Sequence, residues 1–201
     1  MDNEVSSMGN TFEITDVNVT LGDVMPKCLA INDMAAADDR GMAYWYLGRG
    51  LLHIRVPNFG WRKRAIVRHD LHHVLTGYPW TPTGEMEMAA WEFAAGRFPH
   101  PGATAFCLPL VGMGAVLSPR RTFAAFVRGR RGTSLYATPL SDEVLGSRIV
   151  DLRQRFAPMA PTRATAGDWL TYLALVGLSF SLMLAPLLIL AVVAMAIARW
   201  R

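Results

Sequence analysis

A short stretch near the middle of the chain holds a cluster of side chains that can bind a metal. Three of the five histidines in this 201-residue chain are His69, His72 and His73, and Asp70 stands among them. Glu85 follows His73 after eleven intervening residues. Imidazole nitrogens and carboxylate oxygens are donors that zinc, iron, manganese and cobalt accept. If these side chains converge, the stretch can hold a divalent metal.

Helical geometry indicates which of these side chains share a face. A helix turns about 100° per residue, so relative to His69 the side chain of His73 lies at about 40°, that of Asp70 at about 100° and that of His72 at about −60°. His69, Asp70 and His73 occupy one arc and, with Glu85, form the predicted ligand set. His72 falls outside the arc, so we assign it a supporting role.

A polar helix face with hydrogen-bonded histidines is the alternative interpretation of the cluster. Two features speak against it: the helix has a separate apolar face to bury, and Glu85 opens the next helix, where the turn can fold it back. Glu92 is seven residues after Glu85 and shares its helix face. It could orient a ligand through a hydrogen bond, although a partly exposed helical glutamate fits the pattern equally well.

The elements that must position this cluster are two helices joined by a tight turn. The first helix is predicted from about Trp61 to Thr76, and Gly77 is typical of a helix end. Thr81 is a suitable cap before Pro82 at the first position of the second helix. This arrangement would bring Glu85 towards the histidines.

The rest of the chain predicts an all-α fold, a single helical domain with a C-terminal hydrophobic helix. We expect a short extended segment over 12–21 and helices at 27–37, 42–54 and 103–117, followed by an amphipathic helix after Ser141. The domain limits that follow are an N-terminal arm (1–25), a helical metal-binding catalytic domain (26–157), a linker (158–168) and a membrane anchor (169–198).

Composition excludes some functions. The net charge of +4 is modest and scattered, so we expect no nucleic-acid partner. Cys28 and Cys107 lack metal-type spacing and are predicted to be buried thiols. The N-terminus begins without a basic and apolar run, so no signal peptide is expected and the main domain should lie on the cytoplasmic side.

The C-terminal region predicts a membrane anchor. Residues 169–198 include no charged side chain, and 30 residues at about 1.5 Å each exceed the roughly 30 Å hydrocarbon core. Pro186 could kink a single span, which we favour, or divide a short hairpin. A helix buried in a homodimer is a further alternative. Arg153, Arg155 and Arg163 precede the run and favour a cytoplasmic domain.

The motif closely resembles the signature of a known family. His69-Asp70-x-x-His73, eleven residues and Glu85, with the sequence V-L-T-G-Y after the second histidine and Gly84 before the glutamate, is similar to the ubiquinone (coenzyme Q) biosynthesis family usually called Coq-four. The resemblance is strong over 64–96 and looser to Phe156. The hydrophobic tail departs from the family pattern.

The resemblance implies an all-helical fold that holds a divalent metal, usually zinc, at His69, Asp70, His73 and Glu85. It implies a metal-dependent oxidative decarboxylation in which the ring carboxylate of a polyprenylated 4-hydroxybenzoate is replaced by a hydroxyl. It also implies contacts with other quinone-biosynthesis enzymes. A non-catalytic scaffold that binds prenyl lipid is the main alternative, and a metal hydrolase is a third.

A polyprenylated aromatic lipid needs an apolar groove. The stretch 98–117 lacks Asp, Glu, Lys and Arg, so we expect it to form one wall, with Phe106 and Leu110 as candidate contacts. Arg64 and Arg68 are candidates for an anionic group of the lipid. An ordinary core helix and a solvated basic face are the alternative interpretations.

Overall fold

The computed structural model describes residues 5–8, 11–14, 18–31, 44–47, 54–57, 59–159 and 163–199. The predicted all-α fold with a C-terminal hydrophobic helix is confirmed. The helices are α1 (Leu21–Ile31), α2 (Gly60–Thr76), α3 (Pro82–Ala95), α4 (Pro101–Leu117), α5 (Pro119–Gly129), α6 (Asp142–Leu145), α7 (Ile149–Phe156) and α8 (Ala166–Arg199), with a 3-10 helix at Leu135–Ala137. Two antiparallel hairpins precede α2, and they pair β1 (Val5–Met8) with β2 (Thr11–Ile14) and β3 (Tyr44–Leu47) with β4 (Ile54–Pro57).

The N-terminal third differs most from the prediction. The helix expected over 42–54 was wrong, because Tyr44–Leu47 and Ile54–Pro57 pair as strands. Aromatic and β-branched residues favour strands, and the glycines at 48 and 50 weaken a helix. Helix α1 begins at Leu21, inside the predicted arm, and Thr20 caps it by accepting from the Asp23 N–H at 3.3 Å. Positions 32–37 of the predicted helix lie outside the described residues.

The amphipathic helix predicted after Ser141 is two helices. Helix α6 ends at Leu145, Gly146 caps it, and the backbone is extended at Arg148 before α7 begins. The interruption has a tertiary cause, since the Ile149 N–H donates to the Val19 carbonyl at 3.0 Å and the Leu21 N–H donates to the Ser147 carbonyl at 3.1 Å. This pairing joins the chain ahead of α1 to α7.

The turn between α2 and α3 has the predicted structure. Gly77 has φ 76° and donates its N–H to the His73 carbonyl at 2.9 Å, which ends α2. The Thr81 hydroxyl accepts the Gly84 N–H at 3.2 Å, with Pro82 at the start of α3. A side chain at Gly84 would collide with the Pro79 carbonyl, so glycine there allows the tight turn that sets Glu85 against α2.

Helix α3 is central to the domain. It packs against α4 and α5, and its Trp91 is completely buried. The largest fully buried apolar side chains come from six elements and include Leu21, Leu71, Leu75, Met88, Trp91, Phe126, Leu135 and Ile149. The site described below is therefore built on helices that the core holds in place.

Helix α8 is the one described helix long and apolar enough to cross a membrane, over Ala166–Pro186 by length and composition. It begins three residues before the predicted anchor, because Thr165 caps it: the Thr165 hydroxyl accepts the Asp168 N–H at 3.2 Å, and the Asp168 carboxylate accepts the Thr165 N–H at 2.8 Å. It packs against α4 and α5, so its first half is part of the helical domain.

Candidate metal site

Three of the four predicted ligands lie together across the α2–α3 turn. His69 Nε2 lies 3.1 Å from Glu85 Oε2 and 3.2 Å from His73 Nε2, and His73 Nε2 lies 3.3 Å from Glu85 Oε1. One donor atom from each residue lies within 4.8 Å of the others. A histidine pair four residues apart on α2 and a carboxylate in the first turn of α3 thus make a compact group of two nitrogens and one oxygen.

The ring of His73 is held with one nitrogen facing this group. Its Nδ1 lies 2.8 Å from the Tyr78 carbonyl, which can only accept, so Nδ1 carries the proton. The lone pair of neutral His73 is then on Nε2, which faces His69 and Glu85. Trp80 stacks on the ring with centroids 4.6 Å apart. These contacts fix the tautomer and the orientation that a metal ligand requires.

Glu92 holds His69 from the opposite side. Its Oε1 lies 3.2 Å from His69 Nδ1, 2.7 Å from His72 Nδ1 and 2.8 Å from the Tyr136 hydroxyl. The Glu92 side chain is fully buried, unlike the partly exposed glutamate weighed as the alternative above. A carboxylate that accepts from the second nitrogen of a ligating histidine is the usual support of a metal site.

These carboxylates and imidazoles shift one another's pKa values. Burial alone would lower the pKa of His69, but the charges and hydrogen bonds of Glu92 and Glu85 raise it well above its ordinary value. Burial alone would raise the pKa of Glu85, but His69 and His73 lower it to about 2. Burial alone would likewise raise the pKa of Glu92, but His69 and His72 lower it. The ligand carboxylate and its supporting carboxylate are therefore ionised at neutral pH.

His72 lies outside the ligand group and is completely buried. Its Nε2 accepts the Leu135 N–H at 2.7 Å, so its Nδ1 carries the proton that it donates to Glu92. Burial lowers its pKa. Both ring nitrogens are used, so His72 connects the 3-10 helix to Glu92 rather than binding a metal.

Asp70 is separated from the three convergent ligands. It is 1% exposed and lies outside the group whose donor atoms are within 4.8 Å of one another. Its charge acts on Arg62 and on the thiol of Cys28, although it lines the same cavity as His69 and Glu85. Ligation by Asp70 stays a prediction.

Two members of the ligand group, His69 and Glu85, line an apolar cavity of about 510 Å³. Helix α4 forms one wall with Gly102, Ala103, Ala105, Phe106, Cys107 and Leu110. Phe59, Trp61, Ile66, Trp80 and Tyr136 line other sides. The two predicted lipid contacts on α4, Phe106 and Leu110, are both among the lining residues.

The predicted arginine contacts lie elsewhere. Arg64 and Arg68 are absent from the described lining, and Arg68 donates from Nε to the Leu135 carbonyl at 3.1 Å. Arg62 lines the cavity instead. Its position seven residues before His69 places it on the same helix face, so the helical angles could have indicated it. Tyr136 is separated from the motif by more than forty residues and carries no sequence signal.

The residues present fit a divalent metal. The set offers two imidazole nitrogens and one ionised carboxylate, which matches the three protein ligands of catalytic zinc sites and also suits iron, manganese and cobalt. Both histidines have their Nδ1 atoms bonded to oxygen acceptors, which leaves both Nε2 atoms directed at the shared centre. The donor chemistry does not select one of these metals.

Comparison of the whole chain with protein-family descriptions, with curated proteins and with solved structures found no match. The family resemblance therefore rests on the motif alone.

Proposed function

We propose that this protein is a membrane-anchored, metal-dependent enzyme of ubiquinone biosynthesis. The proposed reaction is oxidative decarboxylation of a polyprenylated 4-hydroxybenzoate-type precursor, in which carbon dioxide leaves and a hydroxyl takes its place. The substrate loses two electrons in this reaction, so an external oxidant must accept them; with water as the source of the hydroxyl oxygen, dioxygen would be reduced to hydrogen peroxide. The proposal rests on the motif's resemblance to the Coq-four family.

One structural observation supports the proposal more than any other: His69, His73 and Glu85 converge, and His69 and Glu85 of this group line an apolar cavity of about 510 Å³. A hydrolase for small polar substrates would gain little from such walls. A ligand with an aromatic head and a prenyl tail matches them, with its head at the ligand group and its tail against Phe106 and Leu110. Pockets of this kind, apolar with a few convergent polar groups, are typical ligand sites.

The chain's own residues would bind and orient this substrate. A divalent metal, which we propose to be zinc, would be held by His69, His73 and Glu85, with Asp70 as the fourth ligand that the family resemblance implies, and would supply a Lewis acid beside the substrate's carboxylate or phenolate. The guanidinium of Arg62 adds positive charge to the same cavity. Glu92 keeps the ring of His69 oriented, and Trp61 and Phe59, whose ring centroids lie 6.1 Å apart, form an aromatic side of the cavity.

A non-catalytic scaffold is the second candidate. It is favoured by the depth of the supporting network, since Glu92 joins α2, α3 and the 3-10 helix through His69, His72 and Tyr136. A metal there could serve folding, and the cavity could hold a prenyl lipid while other quinone-biosynthesis enzymes assemble around the domain.

The membrane anchor completes the proposal. Helix α8 would attach the domain to the bilayer in which a polyprenylated substrate is dissolved. The arginines that precede it, with Arg131 at 2.9 Å from Asp168 in its first turn, favour attachment at the cytoplasmic leaflet, whose anionic lipids attract positive charge.

The test is conversion of a prenylated hydroxybenzoate by purified, metal-loaded protein in detergent, with and without dioxygen. Mass spectrometry should find the hydroxylated, decarboxylated product only with metal and oxidant. His73→Ala and Glu85→Gln should abolish it, whereas Glu87→Gln, on the same helix as Glu85 but paired with Arg121, should retain it. Lipid binding without conversion would favour the scaffold, and unchanged activity of His73→Ala would refute the metal-dependent mechanism.

A further inference from the structure

Helix α4 carries an exposed apolar stripe. Phe106, Met113 and Leu117 are 47%, 37% and 67% exposed, and their spacing of seven and four residues places them on one face. Val116 extends the stripe and is also exposed. The helix includes no charged residue and is about 25 Å long at 1.5 Å per residue. A continuous stripe of this size marks an interaction surface rather than scattered surface residues.

Helix α8 packs beside this stripe. The Ser179 hydroxyl donates to the Leu108 carbonyl at 2.8 Å and accepts the Gly112 N–H at 3.1 Å. At the other end of the contact, Tyr172 packs on Phe123, in the helix that follows α4. Helix α8 therefore runs antiparallel to α4, and the outer faces of the two helices adjoin.

The part of α8 beyond this contact is too short to cross a bilayer. With Ser179 level with Gly112 and Leu108, Pro101 at the start of α4 is level with about residue 187, since both helices rise 1.5 Å per residue. The uncharged run ends before Arg199. About 12 apolar residues, or about 18 Å, then project past α4, against a hydrocarbon core of roughly 30 Å.

The domain could compensate for this short segment by inserting upright into the bilayer. Charged residues at both ends of α4 argue against that arrangement. Arg97 precedes the helix and Arg120 follows it, and both are exposed. An upright α4 would carry one of these ends into the hydrocarbon, where an arginine is costly. If α4 lies flat, both arginines reach anionic headgroups while the stripe enters the acyl boundary.

We propose that α4 and α8 form one membrane-binding face that lies in the plane of an anionic bilayer, so that the protein is attached to one leaflet without crossing it. The proposal rests on the membrane attachment proposed above and specifies its geometry. It also gives the cavity an entrance, since Phe106 belongs both to the stripe and to the cavity wall. Ala105 lines this cavity and a second one that reaches Leu182 of α8. A lipid ligand would enter from the bilayer beside Phe106.

Depth measurements on the full chain test this geometry. In a Cys28→Ala, Cys107→Ala background, an environment-sensitive fluorophore is placed on Met113→Cys, Leu117→Cys or Leu190→Cys, with Gln154→Cys on the exposed side of α7 as the control. The proteins are added to vesicles of phosphatidylcholine and phosphatidylglycerol that carry lipid quenchers at a shallow or a deep position.

The in-plane face predicts blue-shifted emission for the probes at 113, 117 and 190, with stronger quenching by the shallow quencher, and no change at 154. The proposal would be overturned in favour of an upright span if the deep quencher acted on the probe at 190 while the probe at 113 stayed in water. Shielding of 113 and 117 without vesicles, accompanied by a doubled mass, would overturn it in favour of a second copy of this chain.

Substitutions separate this proposal from the proposed chemistry. Met113→Glu with Leu117→Glu should lower the fraction bound to vesicles about tenfold or more, which corresponds to about 1.4 kcal/mol, and Gln154→Glu should not. His73→Ala should bind vesicles as the parent protein does, because the ligand group lies away from the stripe. Vesicle binding unaffected by the double substitution would contradict the membrane face, whereas failure of the decarboxylation would leave these results unchanged.

Discussion

The Leu135 N–H donates to His72 Nε2 at 2.7 Å, and this bond determines which histidines of the motif can bind a metal. A backbone N–H can only donate, so Nε2 must accept and Nδ1 must carry the proton. Nδ1 in turn donates to Glu92 at 2.7 Å. Both ring nitrogens of His72 are therefore used in hydrogen bonds, one to the 3-10 helix and one to Glu92, which also bonds His69.

Replacement of His72 should separate stability from metal binding. His72→Ala leaves the Leu135 N–H without its acceptor and creates a cavity beside Trp91, whose ring centroid lies 5.1 Å from that of His72. We expect a loss of about 2–4 kcal/mol in the free energy of unfolding, measured by urea denaturation with a chelator present. The folded variant should still bind one metal by elemental analysis, whereas His73→Ala should bind none. Loss of metal from folded His72→Ala would contradict its supporting role.

Glu92→Gln should weaken the metal site without emptying it. The amide can still accept a hydrogen bond, but it lacks the charge that raises the basicity of His69, so we expect metal affinity to fall about 10- to 100-fold. Competition with a fluorescent chelator measures this. Glu87→Gln is the matched control, because Glu87 is also buried on α3 but pairs with Arg121 at 2.8 Å. Equal loss of affinity in both variants would indicate a general effect on α3.

The convergence of His69, His73 and Glu85 could be predicted because every step to it is local. The helical repeat places the two histidines on one face of α2, and Gly77, Thr81 and Pro82 are typical of the turn that brings Glu85 back to them. Other parts of the site arise from contacts distant in sequence. Tyr136 reaches Glu92 from 44 residues away, and no periodicity indicates such a contact.

The same division applies to the fold. Where a helix ends at a local cap, as at Gly77, the sequence predicted its end correctly. The helix expected after Met42 was wrong, because the ambiguous sequence pattern there forms paired strands. The break between α6 and α7 needs the backbone of Val19, which bonds Ile149 at 3.0 Å. Asp70 shares the arc with His69 and lines the same cavity, and its ligation stays a prediction.

The thiol of Cys28 should react only in the unfolded protein. Burial, and secondarily the charge of Asp70, raise its pKa from 9.0 to about 12. At pH 8 the folded protein then has a thiolate fraction about a thousandfold below that of the unfolded chain. In a Cys107→Ala background, iodoacetamide should label Cys28 in urea and leave it unlabelled in buffer.

The same pKa shift predicts how the free energy of unfolding changes at alkaline pH. A thiol whose pKa is raised on folding contributes stability that is complete below pH 9 and is lost as the pH rises towards 12. Cys28→Ala should therefore flatten the decline of stability over that alkaline range. Rapid labelling of the folded protein at pH 8 would show that this thiol is not buried in the core.

Two glycines provide a matched test of the contact between α4 and α8. A methyl group at Gly112 would collide with Ser179 Oγ, whereas nothing lies within 4 Å of one at Gly177. Gly112→Ala should cost about 1–3 kcal/mol through overpacking, although alanine is the better helix former. Gly177→Ala should be neutral or slightly stabilising for the same reason of propensity. The two variants can be compared by thermal unfolding in detergent. Protease cleavage near Arg163 measures how far α8 detaches from the domain. Equal behaviour of the two variants would mean that α8 does not pack on α4 through Ser179.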